Sequence, residues 1–369
     1  MITDEIGIGV GPDAIPYPKV RTVYDDWVES QGIPIYRGHF VRDLSALPVA
    51  PWERKGVKGA FIQHSETIES NDSYICEIPA GGSTRPQRHL FEETVYVISG
   101  RGATSVWLDP EHKLTFEWQA GSLFAIPLNT WHQHFNGQGG NPARYIAETD
   151  APTMLNTFKD KSFVLENIHR FTERFDGSSD YFSGKGELTG RIWETNFVPD
   201  VRTMGLTAYP ERGAGGINLK FALAGNTMGC HSSQFPVGTY KKAHWHGAGA
   251  HVIILSGVGY SLMWPEGQGE DKPQRFDWQP GTLIIPAERW YHQHFNIGAE
   301  PARYLALRFH TAAGQGKESA HPGNIDRKLG GTQIEYEDES PVVRQIFLEA
   351  LAERGIQHGM DKFWSSPKA

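Results

Sequence analysis

The stretch WHQHFN occupies residues 131–136 and YHQHFN occupies 291–296, so five residues recur 160 positions apart. On an extended strand, residues i and i+2 point the same way. His132 and His134 therefore share a face, as do His292 and His294. Further upstream, His244-Trp245-His246 sets two more imidazoles on one face. At the twin position stands Gln87-Arg88-His89, with Glu93 four residues beyond His89. A third histidine from a neighbouring strand closes one face of a metal ion and leaves the other coordination positions free. His244, His246 and His292 form the main candidate metal set; Gln87, His89, Glu93 and His132 form a second. Imidazole suits Fe, Mn, Ni, Cu and Zn, so ligand type alone does not choose the metal. Three neutral imidazoles leave a divalent charge to be met by substrate, which favours an anionic chelator such as a hydroxy-carboxylate or a diolate. Glutamine binds transition metals more weakly than histidine but serves harder ions. His134 and His294 are the catalytic candidates, as bases or as hydrogen-bond donors to substrate or oxygen. The competing reading is a packed strand whose histidines are all satisfied.

The elements that position these groups come in a repeat, the first thing to look for in any chain. At an offset of 157, His89 meets His246, Gly81 meets Gly238 and Gly100 meets Gly257. VYVISGRG (95–102) meets VIILSGVG (252–259), FEWQAGSLFAIP (116–127) meets FDWQPGTLIIP (276–286), and PARY recurs at 142–145 and 301–304. Short β-branched runs punctuated by glycine and proline predict strands, and many of them at regular spacing predict a sandwich or closed barrel. The fold expected is all-β dominated, two tandem jelly-roll barrels with a few peripheral helices. The layout reads as an N-terminal arm (1–49), a first barrel (50–150), a connector (151–206), a second barrel (207–312) and a C-terminal extension (313–369). Helices are expected at 22–32, 162–175 and 340–355, the last opening on Ser-Pro and closing on glycine.

Other residues compete for a place at the site. Trp290, Tyr260 and Arg308 are candidate substrate contacts, with Trp264 a further aromatic, although tryptophan in a barrel is ordinarily core. Arg212 and Arg303 could clamp a carboxylate, but their twins Arg54 and Arg144 favour structural salt bridges. His251 follows Ala250 and faces away from the metal unless a bulge turns it inward. RGAGG (212–216) has no helix after it and reads as a turn. WETNFVPDVR (193–202) is expected to pack across the interface between the units.

Bulk properties exclude several classes. With 369 residues, 39% of them apolar and 21% charged, the chain is globular and long enough for two cores. A net charge of −8 without a basic stripe speaks against nucleic acid. No apolar run is long enough to cross a bilayer. The opening MITDEIGIGVGPDAIPYP lacks the pattern of a secretory signal. Two distant cysteines, Cys76 and Cys230, fit a reducing cytoplasm.

The spaced positions Gly81, Gln87, His89, Glu93, Gly100, Gly121, Pro127, His132 and Asn136, and their partners Gly238, His244, His246, Ala250, Gly257, Gly281, Pro286, His292 and Asn296, resemble the cupin superfamily twice over. The chain thus looks like a bicupin, and most resembles the gentisate 1,2-dioxygenase and 1-hydroxy-2-naphthoate dioxygenase group. That resemblance implies a ring-cleaving dioxygenase, often homo-oligomeric, in which His244, His246 and His292 bind Fe(II) while a hydroxylated aromatic acid and O2 take the open positions. Mn, Zn, Ni or Cu are alternatives. One departure stands out: the group's three-histidine site is usually in the first unit, and here it is in the second. The first unit's Gln/His/Glu/His set instead resembles cupin-type phosphomannose isomerases. The rival readings are a non-oxidative isomerase, lyase or hydrolase, and a small-molecule-binding bicupin without catalysis.

Overall fold

The computed structural model describes residues 21–63, 70–247, 250–309 and 322–364. The opening 20 residues, and with them the expectation about a secretory signal, lie outside the described residues, as do parts of the expected arm and C-terminal extension.

Each unit is a large sheet facing a small one. In the first, strands Val57–Gln63, Asp72–Ile78, Ala143–Thr149, Glu93–Ser99 and Leu123–Ile126 lie side by side, opposite the three-stranded sheet of Trp131–Asn136, Arg101–Trp107 and Lys113–Gln119. In the second, Ile217–Ala222, Met228–Phe235, Ala302–Phe309, Ala250–Ser256 and Leu283–Ile284 repeat the large sheet, and Trp290–Asn296, Gly259–Pro265 and Gln274–Trp278 repeat the small one. These are two tandem jelly rolls with peripheral helices. Turn glycines close the hairpins: Gly100 (φ +91°) and Gly257 (φ +83°) adopt a left-handed backbone, and a Cβ there would strike Ala143 or Ala302.

Equivalent strands also precede residues 50 and 207. Ile35–Arg37 pairs in parallel with Val57–Gln63, and Ile192–Thr195 pairs in parallel with Ile217–Ala222. The next residues then cross over. Phe40–Val41 joins the second barrel by pairing with Leu283–Ile284, and Phe197–Val198 joins the first by pairing with Phe124 and Leu123. Two-residue strands carry no periodicity, so pattern reading missed them. Arg144 and Arg303 pin these arms. Arg144 donates to the carbonyls of Leu44, Ser45 and Leu47, and Arg303 to those of Val201 and Met204. Arg144 also pairs with Glu77 at 2.5 Å. Both arginines hold structure, Arg144 through carbonyls and an ion pair, Arg303 through carbonyls and the Gln234 side chain.

The barrels share one apolar interface, in which Ile62, Ile75, Leu123 and Ile146 of the first meet Phe221, Ile253, Leu283 and Leu305 of the second. Trp193, Val198 and Val201 of the 193–202 stretch pack into the same core.

Helices form at Val23–Ser30, with a Thr22/Asp25 capping box, and at Pro341–Arg354, capped by Ser340 and ended by Gly355 in the left-handed conformation. The helix expected over 162–175 stops at Leu165. Ile168 is 80% exposed, so the apolar spacing there buries no face. The carbonyls of Asn167 and His169 instead accept from the Asn129 side chain. An unexpected helix, Ala151–Phe158, directly follows the first barrel. Among the described residues no helix is long and apolar enough to cross a membrane. Both cysteines are buried free thiols.

Candidate metal centre

Strand Trp131–Asn136 alternates as the spacing requires, with His132, His134 and Asn136 buried and Trp131, Gln133 and Phe135 half-buried. The two histidines of each HQHFN stretch differ in how their Nδ1 atoms are held. His292 Nδ1 donates to the Trp290 carbonyl at 3.1 Å, and His132 Nδ1 to the Thr130 carbonyl at 3.1 Å. A backbone carbonyl only accepts, so the proton sits on Nδ1 and the Nε2 lone pair faces inward, as a metal ligand requires. His244 and His246 follow the same rule through the carbonyls of Lys242 (3.4 Å) and Gly247 (3.2 Å).

The second histidine has the opposite tautomer. Trp278 Nε1 donates to Ser261 Oγ at 3.1 Å, and Ser261 Oγ lies 2.7 Å from His294 Nδ1. The indole fills one acceptor position of the serine oxygen, and among the described hydrogen bonds His294 Nδ1 is the one acceptor that the hydroxyl proton meets, so satisfying that proton places the histidine's hydrogen on Nε2. The first barrel repeats the relay through Trp118, Thr104 and His134 at 2.9 and 2.7 Å. His134 and His294 are therefore built as neutral Nε2–H donors. The asparagines that end both stretches clamp loop carbonyls: Asn136 holds those of Ile78, Pro79 and Asn141, and Asn296 those of Pro236 and Glu300.

In the second barrel, a backbone bridge joins His244 to His292. The ligand atoms of His244, His246 and His292 all lie within 4.8 Å of one another. Burial, followed by the nearby arginines and histidines, holds His244 well below the ordinary imidazole range. Burial likewise pushes His292 down to about 3. Both are therefore neutral near pH 7, and His246 brings its ligand atom within the same 4.8 Å. They border a cavity of about 50 Å³ that is also lined by Tyr209, Arg212, His231, His294 and Arg308.

In the first barrel, Gln87 bridges His132, and His89, Glu93 and His132 bring their ligand atoms within 4.8 Å of one another. His89 Nδ1 donates to the Phe91 carbonyl, which leaves His89 Nε2 and Glu93 Oε2, two acceptors, 3.1 Å apart. Acceptors that close require a proton or a cation between them. Gln87 Nε2, Glu93 Oε1 and His132 Nε2 are buried without a hydrogen-bond partner. The donor chemistry in both barrels fits a divalent ion. Burial alone would raise the Glu93 carboxyl, but the Lys55 ammonium at 4.0 Å and the surrounding imidazoles hold it well below the usual carboxylate range. Lys55, which sequence reading passed over, also donates to Tyr74 OH at 2.7 Å.

Several expected contacts are not at the cavity. Tyr260 and Trp264 alternate with Ser261 and Met263, whose register partners are His294 and His292. Alternation turns Tyr260 outward, where it stacks on Phe295 at 4.7 Å beneath the C-terminal helix. Trp264 stacks on Tyr291 in the same cluster. Trp290 shares the His292 face but lies against His39 at 5.3 Å, outside the cavity lining. His251 faces the other barrel and pairs with Glu148, as an unbroken strand dictates. Arg212 corrects the salt-bridge expectation: its partners are the Gly323 carbonyl, Gln333 and Asn324, all neutral, and it lines the cavity with Arg308. The relay residues Thr104/Ser261 and Trp118/Trp278 were missed, although each pair occupies twin positions in the repeat and was legible there.

Residues 74–147 match the family model described as Cupin domain. That match lies within the first jelly roll, and the second jelly roll repeats the same strand arrangement. A 99-residue stretch is 29% identical to 5-aminosalicylate 1,2-dioxygenase of Comamonas sp; it covers 26% of this chain and only a quarter (25%) of that protein. Among solved structures, the oxalate decarboxylase of Lactobacillus farciminis, as a formate complex, aligns over 74% of this chain and 86% of its own at 13% identity and a TM-score of 0.49. A variant of the Bacillus subtilis oxalate decarboxylase aligns over 74% and 78% at 14% identity and a TM-score of 0.48.

Proposed function

We propose that the chain is a metal-dependent oxidoreductase, an Fe(II) dioxygenase that opens the ring of a hydroxylated aromatic acid in its second barrel. The observation that carries this reading is the set of three converging imidazoles, His244, His246 and His292, beside a cavity whose described lining holds arginines and no carboxylate. The stretch shared with 5-aminosalicylate 1,2-dioxygenase supports the same chemistry. Fe(II) held by these residues would supply a redox centre with positions left for a chelating substrate and O2. His294 then presents its Nε2–H to a developing oxyanion or a substrate oxygen, held in place by Ser261 and Trp278. Arg308 and Arg212 hold the substrate's carboxylate. Aromatic contact falls to Tyr209 and Tyr304, which line the cavity, rather than to Tyr260 or Trp290. Small-molecule substrate, O2, a homo-oligomeric state and a cytoplasmic setting complete the proposal.

The test is anaerobic loading with Fe(II), followed by O2 uptake in the presence of gentisate, salicylate and 5-aminosalicylate. Stoichiometric O2 consumption and loss of the aromatic absorbance are expected. Turnover without O2, or with Mn(II) or Zn(II) alone, would overturn it. The first barrel favours one second reading: Gln87, His89, Glu93 and His132 include a carboxylate and suit a Lewis-acid ion in a non-oxidative reaction.

A further inference from the structure

The repeat invites comparison of twin positions around the two centres. In the first barrel, Glu93 stands directly across the sheet from Thr149. In the second, Ala250 stands directly across from Arg308. The carboxylate is gone, and the hydroxyl facing its place has become a guanidinium. The first barrel balances its own charges, with the Lys55 ammonium 4.0 Å from Glu93. The second does not. Among the described residues, Arg212 and Arg308 both line the cavity, no Asp or Glu does, and the hydrogen-bond partners of Arg212 are all neutral. Lys241, buried behind the wall, donates to Ser233 Oγ at 3.0 Å. Arg308 Nε is sealed from solvent without a hydrogen-bond partner. Burial and then Arg212 push its guanidinium down to about 10. An interior that gathers cations without a counter-charge is costly unless an anion enters. A divalent ion on three neutral imidazoles adds to that excess.

We propose that the second barrel binds its metal and an exogenous carboxylate as a coupled pair, with Arg308 holding that carboxylate in the place Glu93 fills in the first barrel. The proposal rests on the reading of His244, His246 and His292 as a metal centre. The space suits it: Ala250 leaves the position open, and 50 Å³ takes about four water-sized spheres, enough for a carboxylate and one adjoining oxygen. Linkage makes the effect reciprocal, so whatever factor the carboxylate adds to metal affinity, the metal adds to carboxylate affinity.

The experiment is anaerobic equilibrium dialysis of Fe(II) against the full-length apo chain, in chloride buffer and with added acetate or salicylate. His246→Ala serves as the baseline for ions bound elsewhere. Wild type is expected to gain on the order of tenfold or more in second-barrel Fe(II) affinity with carboxylate present. A gain with acetate assigns the subsite to carboxylates at large; a gain with salicylate alone assigns it to the chelating substrate, and both support the proposal. Arg308→Gln should bind Fe(II) more tightly in chloride and lose the carboxylate response. Ala250→Glu should bind tightly and ignore added carboxylate, because it restores the protein's own. Thermal melts establish that both variants fold. Equal wild-type affinity with and without carboxylate, or a full response in Arg308→Gln, overturns the coupling and leaves the metal centre standing. Wild type indistinguishable from His246→Ala in every buffer overturns the metal centre and the coupling together.

Discussion

Replacing His251 with leucine separates two roles that lie one residue apart. Ala250 lines the cavity, while His251 points from the same strand into the interface, where its Nδ1 makes an ion-pair contact with Glu148 of the first barrel. Both side chains are fully enclosed, at 0% exposure, and Glu148 also accepts from Asn71. Burial pushes the Glu148 carboxyl up and His251 pulls it back. Removing the imidazole leaves that carboxyl desolvated without its partner, which costs roughly 3–5 kcal/mol for a pair of this kind. Glu148→Leu takes the carboxylate from the buried imidazole and should cost about the same. The double variant strands neither charge, and two leucines extend the apolar interface; with the Asn71 amide losing its Glu148 acceptor, it should fall within about 2–4 kcal/mol of wild type. Additivity would instead predict a loss of roughly 6–10 kcal/mol. Urea unfolding followed by tryptophan fluorescence measures all four proteins, with elemental analysis of the native forms alongside. Additive costs would refute the pairing. Loss of second-barrel metal in His251→Leu would refute its outward orientation and restore it as a ligand.

Four shorter tests address the sites themselves. His292→Ala should abolish O2 uptake and remove one ion per chain by elemental analysis, whereas Glu93→Gln should leave the second-barrel ion in place. Ser261→Ala frees His294 to change tautomer and should lower kcat about 10- to 100-fold at unchanged metal content, measured by O2 uptake on the loaded enzyme. Lys55→Met leaves Glu93 buried without its ammonium and should cost roughly 3–5 kcal/mol in urea unfolding, with saturating Mn(II) restoring part of the loss. Asp150 is raised to about 7 by burial and by Glu92. A carboxyl raised on folding holds its proton longer in the native state, so stability is full below its unfolded value and declines as pH climbs from about 4 to 7, by up to about 4 kcal/mol. Asp150→Asn should flatten that decline between pH 5 and 8, at the expense of a weaker bond to the Glu92 amide.

Much of this protein was legible in its sequence, because strand geometry is local. Two residues apart on a strand means one face, so His132 with His134 could be paired without coordinates; His244 and His246 converge although only His244 touches a strand, through its bridge to His292. Gly100 and Gly257 marked the hairpins for the same reason, since few other residues tolerate their backbone. The failures share a cause too. The 162–175 pattern has helical spacing, yet Ile168 found no surface to bury. Phe40–Val41 and Phe197–Val198 are strands only because the opposite barrel offers an edge. Tyr260 and Ser261 are neighbours in sequence, and barrel closure alone decided that the serine meets His294 while the tyrosine meets the C-terminal helix. The tautomers of His292 and His294 depend on whether a carbonyl or a hydroxyl lies at Nδ1, and the charge excess around Arg308 depends on chain segments 96 residues apart meeting at one wall. Periodicity specifies which residues share a face; the sum of charges and the direction of each proton exist only once distant strands have closed around a common interior.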